Sequence, residues 1–144
     1  MKNKTKVITL LMAALILSGC SHNTGITRKN YGTWEKEYGY SQVVKAGNTL
    51  YLSGLASNKE SLAVQIEEIY TVILSILKDY GLDSDAIVKQ VIYAVDIEAV
   101  KAETERRKKF FKGNRYPSST IVQIERLYEE QHLLEVEVVA FIHK

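Results

Sequence analysis

The 144-residue sequence predicts an α+β fold of order ββαβαββ, a single mixed sheet with two helices packed on one face. Three observations carry this. Short β-branched and aromatic runs come in pairs near both ends of the chain, a helical apolar stripe separates the first pair from a middle strand, and a second, charged helical stretch separates that strand from the last pair.

The first element is a leader to be set aside from fold reasoning. Lys2, Lys4 and Lys6 precede an apolar run, Val7 to Leu17, that is short of the roughly 20 residues a bilayer span needs. Leu17-Ser18-Gly19-Cys20 then reads as a lipobox, in which the Cys20 thiol is acylated and becomes the mature N-terminus. The expected organisation is a signal peptide over 1–19, a lipidated cysteine and tether over 20–33, and one domain over 34–144, held at the outer side of a bacterial membrane. Ser21 to Asn30 is polar and aperiodic, as a tether would be.

Tyr40 to Ala46 and Thr49 to Gly54 read as a hairpin about Gly47-Asn48, two residues that tolerate positive φ. From Glu60 to Tyr80 the residues Leu62, Ile66, Ile69, Ile73 and Leu77 recur at helical spacing, with Asn58 the candidate cap and Gly81 the candidate stop. Ile87 to Val95 is β-branched and apolar, hence a buried strand. Glu98 to Lys112 reads as one charged helix ending at Gly113. Pro117 opens a strand expected over Ser119 to Leu127, and Leu133 to Ile142 is the last. With both crossovers right-handed, the helices share one face and leave the other bare. Val43, Tyr51, Ile121 and Val139 are candidates for that bare face, whose covering by other copies is the expected reason for oligomerisation.

Charge and composition narrow the function classes. Of 19 basic residues three lie in the leader, so the exported part carries one net negative charge against its 17 acidic residues, a poor balance for a nucleic-acid partner. A single cysteine allows no intrachain disulfide. The histidines His22, His132 and His143 lack ligand spacing, and neither a phosphate loop nor a Ser-His-Asp pattern can be read, so no metal or other cofactor is expected. Arg106 to Lys109 with Lys112 form a basic face that Glu103 and Glu105 interleave, which reads as solvated.

Several segments in order resemble the RidA (YjgF) family: Tyr40-Ser41-Gln42, Leu50-Tyr51-Leu52-Ser53-Gly54, Ile87 to Ile97 with its Asp96 exit, Pro117, and Glu135-Val136-Glu137. The resemblance covers Tyr38 to Phe141 and implies a RidA-like, chorismate-mutase-like fold, a homotrimer, and sites in clefts between subunits. It implies that Tyr40 lines the pocket, that Ser53 and Gly54 lie beside the ligand, and that Glu135 positions the water that attacks an imine. The family's Pro-Ala-Arg-Ser supplies an arginine for the substrate carboxylate. Here that position is Ser119, with Ile121 where a cysteine is frequent. Losing a desolvated charge partner costs about 2–5 kcal/mol, so ordinary 2-imino-acid deamination is not expected.

Two arginines could stand in: Arg115, in a loop before Pro117, and Arg126, expected some 23 Å along the strand from Ser119. The resulting expectation is a lipid-anchored envelope protein that binds a small molecule in intersubunit clefts. The rivals are an imine or enamine hydrolase that uses Glu135, alone or paired with Glu137, and a protein-interaction module whose clefts are vestigial.

Overall fold

The structure, a computed structural model, describes residues 25–143; the leader and Cys20 lie outside the described residues. The elements are β1 (Ile26–Lys29), α1 (Trp34–Tyr38), β2 (Val43–Ala46), β3 (Thr49–Ala56), α2 (Leu62–Lys78), β4 (Ile87–Ala94), α3 (Ile97–Ala102), α4 (Thr104–Lys108), β5 (Ser118–Gln123) and β6 (Leu134–Phe141). They make one six-stranded mixed sheet in the order β1-β2-β3-β6-β4-β5, antiparallel except for the parallel pair β4 and β5. The expected five-strand order is thus present with one strand added.

That added strand, β1, replaces part of the expected tether. It pairs with β2 from Ile26 opposite Ala46 to Lys29 opposite Val43, and all four of its residues are exposed. Backbone pairing along an open edge needs no apolar alternation, so the side-chain pattern could not show it. Lys29 and the Tyr31 hydroxyl both donate to Asp79 at the end of α2, at 2.6 and 2.8 Å, which docks this segment on the helix layer.

Helix α2 lies across β3 and β6 and places Ile66, Ile69, Ile73 and Leu77 in the core against Leu50, Leu52, Val136 and Val138. It stops where expected, Gly81 having φ of +71°. Its cap differs from expectation, because Ser61 holds the N-cap position. Asn58 instead accepts from the Gln131 side-chain amide at 3.0 Å and contacts His132 Nε2 at 2.6 Å, joining the loop before α2 to the loop before β6. The hairpin turn forms with Gly47 at φ of +59°.

The second helix is broken in two at Glu103, which ends α3 and begins α4. At the break the Thr104 hydroxyl donates to the Lys101 carbonyl at 2.6 Å, a local bond that competes with the helical ladder. Asp96 caps α3 by accepting from Ala99 N. Strand β5 is shorter than expected because the Gln123 side chain turns to accept from Ile97 N at the start of α3. Arg126 therefore lies beyond the strand, not on it. The basic face is spent in pairs with Glu67, Glu103, Glu105 and Asp83, while Arg107 is buried.

Two of the four residues assigned to the bare face are corrected. Val43 is fully buried and Ile121 packs against the core, because register sets Ile121 beside the buried Ile92. Tyr51 and Val139 oppose each other on the open face.

Two buried glutamines tie helix to sheet. Gln90 of β4 accepts from the Tyr70 hydroxyl of α2 at 2.8 Å and donates to Ser119 Oγ of β5 at 3.0 Å. Gln65 of α2, fully buried, donates to the carbonyls of Lys59 and Gln131, each at 2.8 Å, and accepts from Leu133 N at 2.9 Å. Gln65→Ala removes three part-buried hydrogen bonds to the backbone and a buried side chain's packing, and is expected to cost about 2–4 kcal/mol. The same change at exposed Glu60 should stay within about 0.5 kcal/mol. Urea unfolding of the two variants measures both, and equal midpoints would be contrary to this account.

Candidate functional site

The site begins with an irregularity in β3. Pairing with β6 is regular up to Leu52, shifts, and resumes at Leu55 opposite Val136, so Ser53 and Gly54 sit in a bulge. The Tyr40-Ser41-Gln42 segment fixes that bulge: Ser53 N donates to the Gln42 carbonyl, the Gln42 side-chain amide donates to the Ser53 carbonyl, both at 3.0 Å, and Ser53 Oγ donates to the Ser41 carbonyl at 2.8 Å.

On the neighbouring strand Glu135 faces the bulge. A Cβ built on Gly54 would stand 2.0 Å from Glu135 Oε1, so the carboxylate lies directly on the glycine backbone and no larger residue could be accommodated without moving it. Glu135 is half-buried and accepts no hydrogen bond among the described residues. Burial pushes its pKa above the ordinary carboxylate range; His132 pulls it down, and Glu137, two residues on along the same face, pushes it further up. Glu137 itself accepts from the Tyr93 hydroxyl at 3.4 Å.

Around this centre lies a groove of about 780 Å³. Of the residues that the family resemblance singles out, Tyr40, Ser53, Gly54 and Glu135 line it. Ser119 and Ile121 do not. They lie on β5, two strands from β6, and Ser119 Oγ is bonded to Gln90, whose other end bonds Tyr70 of the helix layer. Within one chain the expected site is therefore split in two.

The stand-in arginines are also placed. Arg115 forms a two-point pair with Asp85, Nε to Oδ1 at 3.0 Å and Nη2 to Oδ2 at 2.5 Å. Arg126 lines a second, more open depression that shares Tyr128 and Glu135 with the groove and also includes Tyr93 and Glu137, and it makes no ion pair within 4.0 Å among the described residues.

Sequence reasoning missed much of the groove wall. Trp34 and Tyr38 present from α1, and Tyr128, Glu129 and His132 from the loop before β6. The fully buried Glu35 holds the α1 segment by accepting from Tyr31 N at 2.7 Å and Gly32 N at 3.0 Å. Burial pushes its carboxyl up, but these backbone donors outweigh that and hold it below the usual range. Tyr38 and Tyr128 meet edge to face at 5.5 Å. His132 Nε2 faces Asn58 Oδ1, leaving Nδ1 buried without a partner. Trp34 and Tyr38 are four apart, so one helical face was legible there. The Tyr128 to His132 stretch has no periodicity to read.

Among the described residues no three His, Cys, Asp or Glu side chains converge as a metal site would require. A second cavity, about 360 Å³ between the β3–α2 connection and α2, holds Ser57 bonded to Glu68 and has no free pair of reactive groups.

The family model described as Endoribonuclease L-PSP matches residues 34–142. A structure from Mycobacterium tuberculosis, of a member of the YjgF/YER057c/UK114 family, is 24% identical with a TM-score of 0.75, over 82% of this chain and all of that one. A YjgF-family protein from Neisseria meningitidis gives 21% and 0.74 over 85% and 99%. One from Streptococcus pyogenes, described as a yjgF-family member, gives 26% and 0.70 over 82% and 98%. No curated protein matches.

The carboxyl of Glu135 is expected to titrate above the ordinary glutamate range in the intact protein. Gly54→Ala should move the side chain into solvent and bring the midpoint back down, with cooperative unfolding retained. Carboxyl carbon chemical shifts followed against pH measure this, and an unchanged midpoint would mean that Gly54 does not set the carboxylate's position.

Proposed function

Since the chain belongs to the endoribonuclease L-PSP (RidA/YjgF) family, we propose that it binds a small molecule in the Glu135 groove and does not carry out ordinary 2-imino-acid deamination. The observation that supports this reading most directly is the charge of the wall: among the described residues no lysine or arginine lines the groove, whereas Glu129 and Glu135 do. A substrate carboxylate would find no bidentate partner there. The position at which the family resemblance calls for arginine is a serine already engaged with Gln90.

The same wall argues against RNA. Affinity for a phosphate backbone rests on cationic side chains, and a groove with two carboxylates and no cation repels it. The groove is better suited to a compact ligand held by the aromatic rings, the Ser53–Gly54 backbone and the Glu135 carboxylate.

The assembly and setting belong to the same proposal. β5 and β6 are two strand spacings apart, about 10 Å, and Ser119 bonds on the helix side while Glu135 faces the groove. Another copy's β5 edge, brought by a homotrimer closed on the open sheet face, would complete each cleft. Cys20, with its lipobox, would tether that trimer to the outer side of a bacterial membrane. Light scattering should then give about three times the monomer mass. A fatty-acid probe should label the wild type and not Cys20→Ser. A monomer, or unchanged labelling, would remove the corresponding part.

One observation favours a second reading, in which the protein hydrolyses an imine, enamine or amide that needs no carboxylate anchor. Glu135 accepts no hydrogen bond among the described residues and burial raises its pKa, which makes the carboxylate a stronger base toward a bound water. Decay of 2-iminobutanoate generated in situ separates the readings. Wild type should show little activity, and Ser119→Arg should gain some that the further change Glu135→Ala removes. Strong wild-type activity that Arg126→Ala abolishes would place the carboxylate on Arg126 and overturn the proposal.

A further inference from the structure

Four aromatic side chains converge on the groove: Trp34 and Tyr38 from α1, Tyr40 just after it, and Tyr128 from the loop before β6. They are held there although large aromatic surface is ordinarily withdrawn from water; Trp34 remains 49% exposed and Tyr128 66%. Their placement is built in. Glu35 is buried to fix the segment that carries three of them, the Trp34 ring rests on Gly32 so closely that a Cβ there would overlap it, and Tyr128 is braced edge-on by Tyr38.

The charges in the groove have one sign. Among the described residues Glu135 and Glu129 line it, His132 is the one imidazole, and Arg126, in the adjoining depression that Glu135 also lines, is in no ion pair. Aromatic faces present negative charge density to a ligand, and carboxylates add to it. A ligand carboxylate would meet the like charges of Glu129 and Glu135. A cation would meet the reverse. An ammonium or iminium head over the rings also supplies the counter-charge that the Glu135 carboxylate lacks, since that group accepts no hydrogen bond among the described residues.

We infer that the groove selects an organic cation, a small molecule with an ammonium or iminium head, which the aromatic rings surround and the Glu135 carboxylate neutralises. This rests on the small-molecule reading above and specifies its ligand class. It also inverts the ligand charge that the family resemblance implies, in keeping with serine at position 119. A primary ammonium keeps N–H donors for the Glu135 carboxylate, while a quaternary head gives these up for apolar contact with the rings, so both belong to the class.

The test uses the single tryptophan, Trp34, as reporter in the full-length protein in a non-ionic detergent. Three probes are titrated: choline, its uncharged isostere 3,3-dimethylbutan-1-ol, and 2-oxobutanoate. Choline should change the emission saturably and bind at least about tenfold more tightly than the isostere, with Glu135→Gln and Tyr128→Leu each weakening it by about fivefold or more. Equal binding of choline and the isostere, or choline binding untouched by Glu135→Gln in a protein with unchanged circular dichroism, overturns the cation inference and leaves a small-molecule groove standing. Saturable 2-oxobutanoate binding without choline binding does the same. No saturable response to any of the three overturns both the inference and the reading beneath it.

Discussion

One fully buried amide side chain, Gln65, holds the groove's two loops to the helix that covers the sheet. Its donor end bonds the carbonyls of Lys59 and Gln131 and its acceptor end takes Leu133 N, so the connection before α2 and the loop before β6 meet on one residue. An apolar residue of similar size would fill the volume and leave those three groups unpaired, a cost that fixes the choice of glutamine. Asn58 reinforces the same junction from the solvent side through Gln131 and His132. Because Leu133 immediately precedes β6, this clamp also sets where β6 begins, and therefore where Glu135 falls against Gly54.

From that register the chemistry of the groove follows. The bulge at Ser53–Gly54 opens the ladder next to Glu135, and the missing Cβ of Gly54 lets the carboxylate lie on the backbone. The groove is thus centred on an acceptor with no protein partner, partly withdrawn from water, and its pKa rises for that reason. A structural glutamate would be expected to be satisfied by backbone donors, as Glu35 is by Tyr31 N and Gly32 N. The two buried or half-buried glutamates thus contrast, Glu35 satisfied by backbone donors and lowered, Glu135 without a hydrogen bond among the described residues and raised, and that contrast is what supports proposing Glu135 as the ligand-facing one.

Much of the fold was legible because the elements that build the core carry periodicity. The stripe from Leu62 to Leu77 gave α2, and the β-branched runs gave β3, β4 and β6. What could not be read is held by polar bonds that leave no period. β1 pairs through its backbone with four exposed side chains, Thr104 breaks a helix by a hydroxyl bond, and Asn58 bridges two loops where a cap was expected. Of the site, Tyr40, Ser53, Gly54 and Glu135 were found through the family resemblance and are together in the groove, whereas Trp34, Tyr128 and His132 were not found because their importance is a matter of which loops meet. Alternation also misassigned Val43 and Ile121, since strand edges were placed by residue type and the actual register is set by neighbours such as Leu52 and Ile92.

The two halves of the expected site differ in how tightly the fold constrains them, and this bears on how ligand chemistry can change while the fold persists. The position of the Glu135 carboxylate depends on the missing Cβ of Gly54, on a bulge fixed by Gln42, and on a register set by Gln65. Ser119 sits on an edge strand, exposed, and its one side-chain bond is to the far end of the Gln90 amide. Replacing it disturbs a single hydrogen bond, worth about 1 kcal/mol, and leaves the core layer untouched. The β5 edge at Ser119 is therefore the adjustable part of this architecture and the carboxylate over the bulge is the constrained part. On the proposed reading, a chain that keeps the second while replacing the first retains the fold and is free to bind a ligand of different charge.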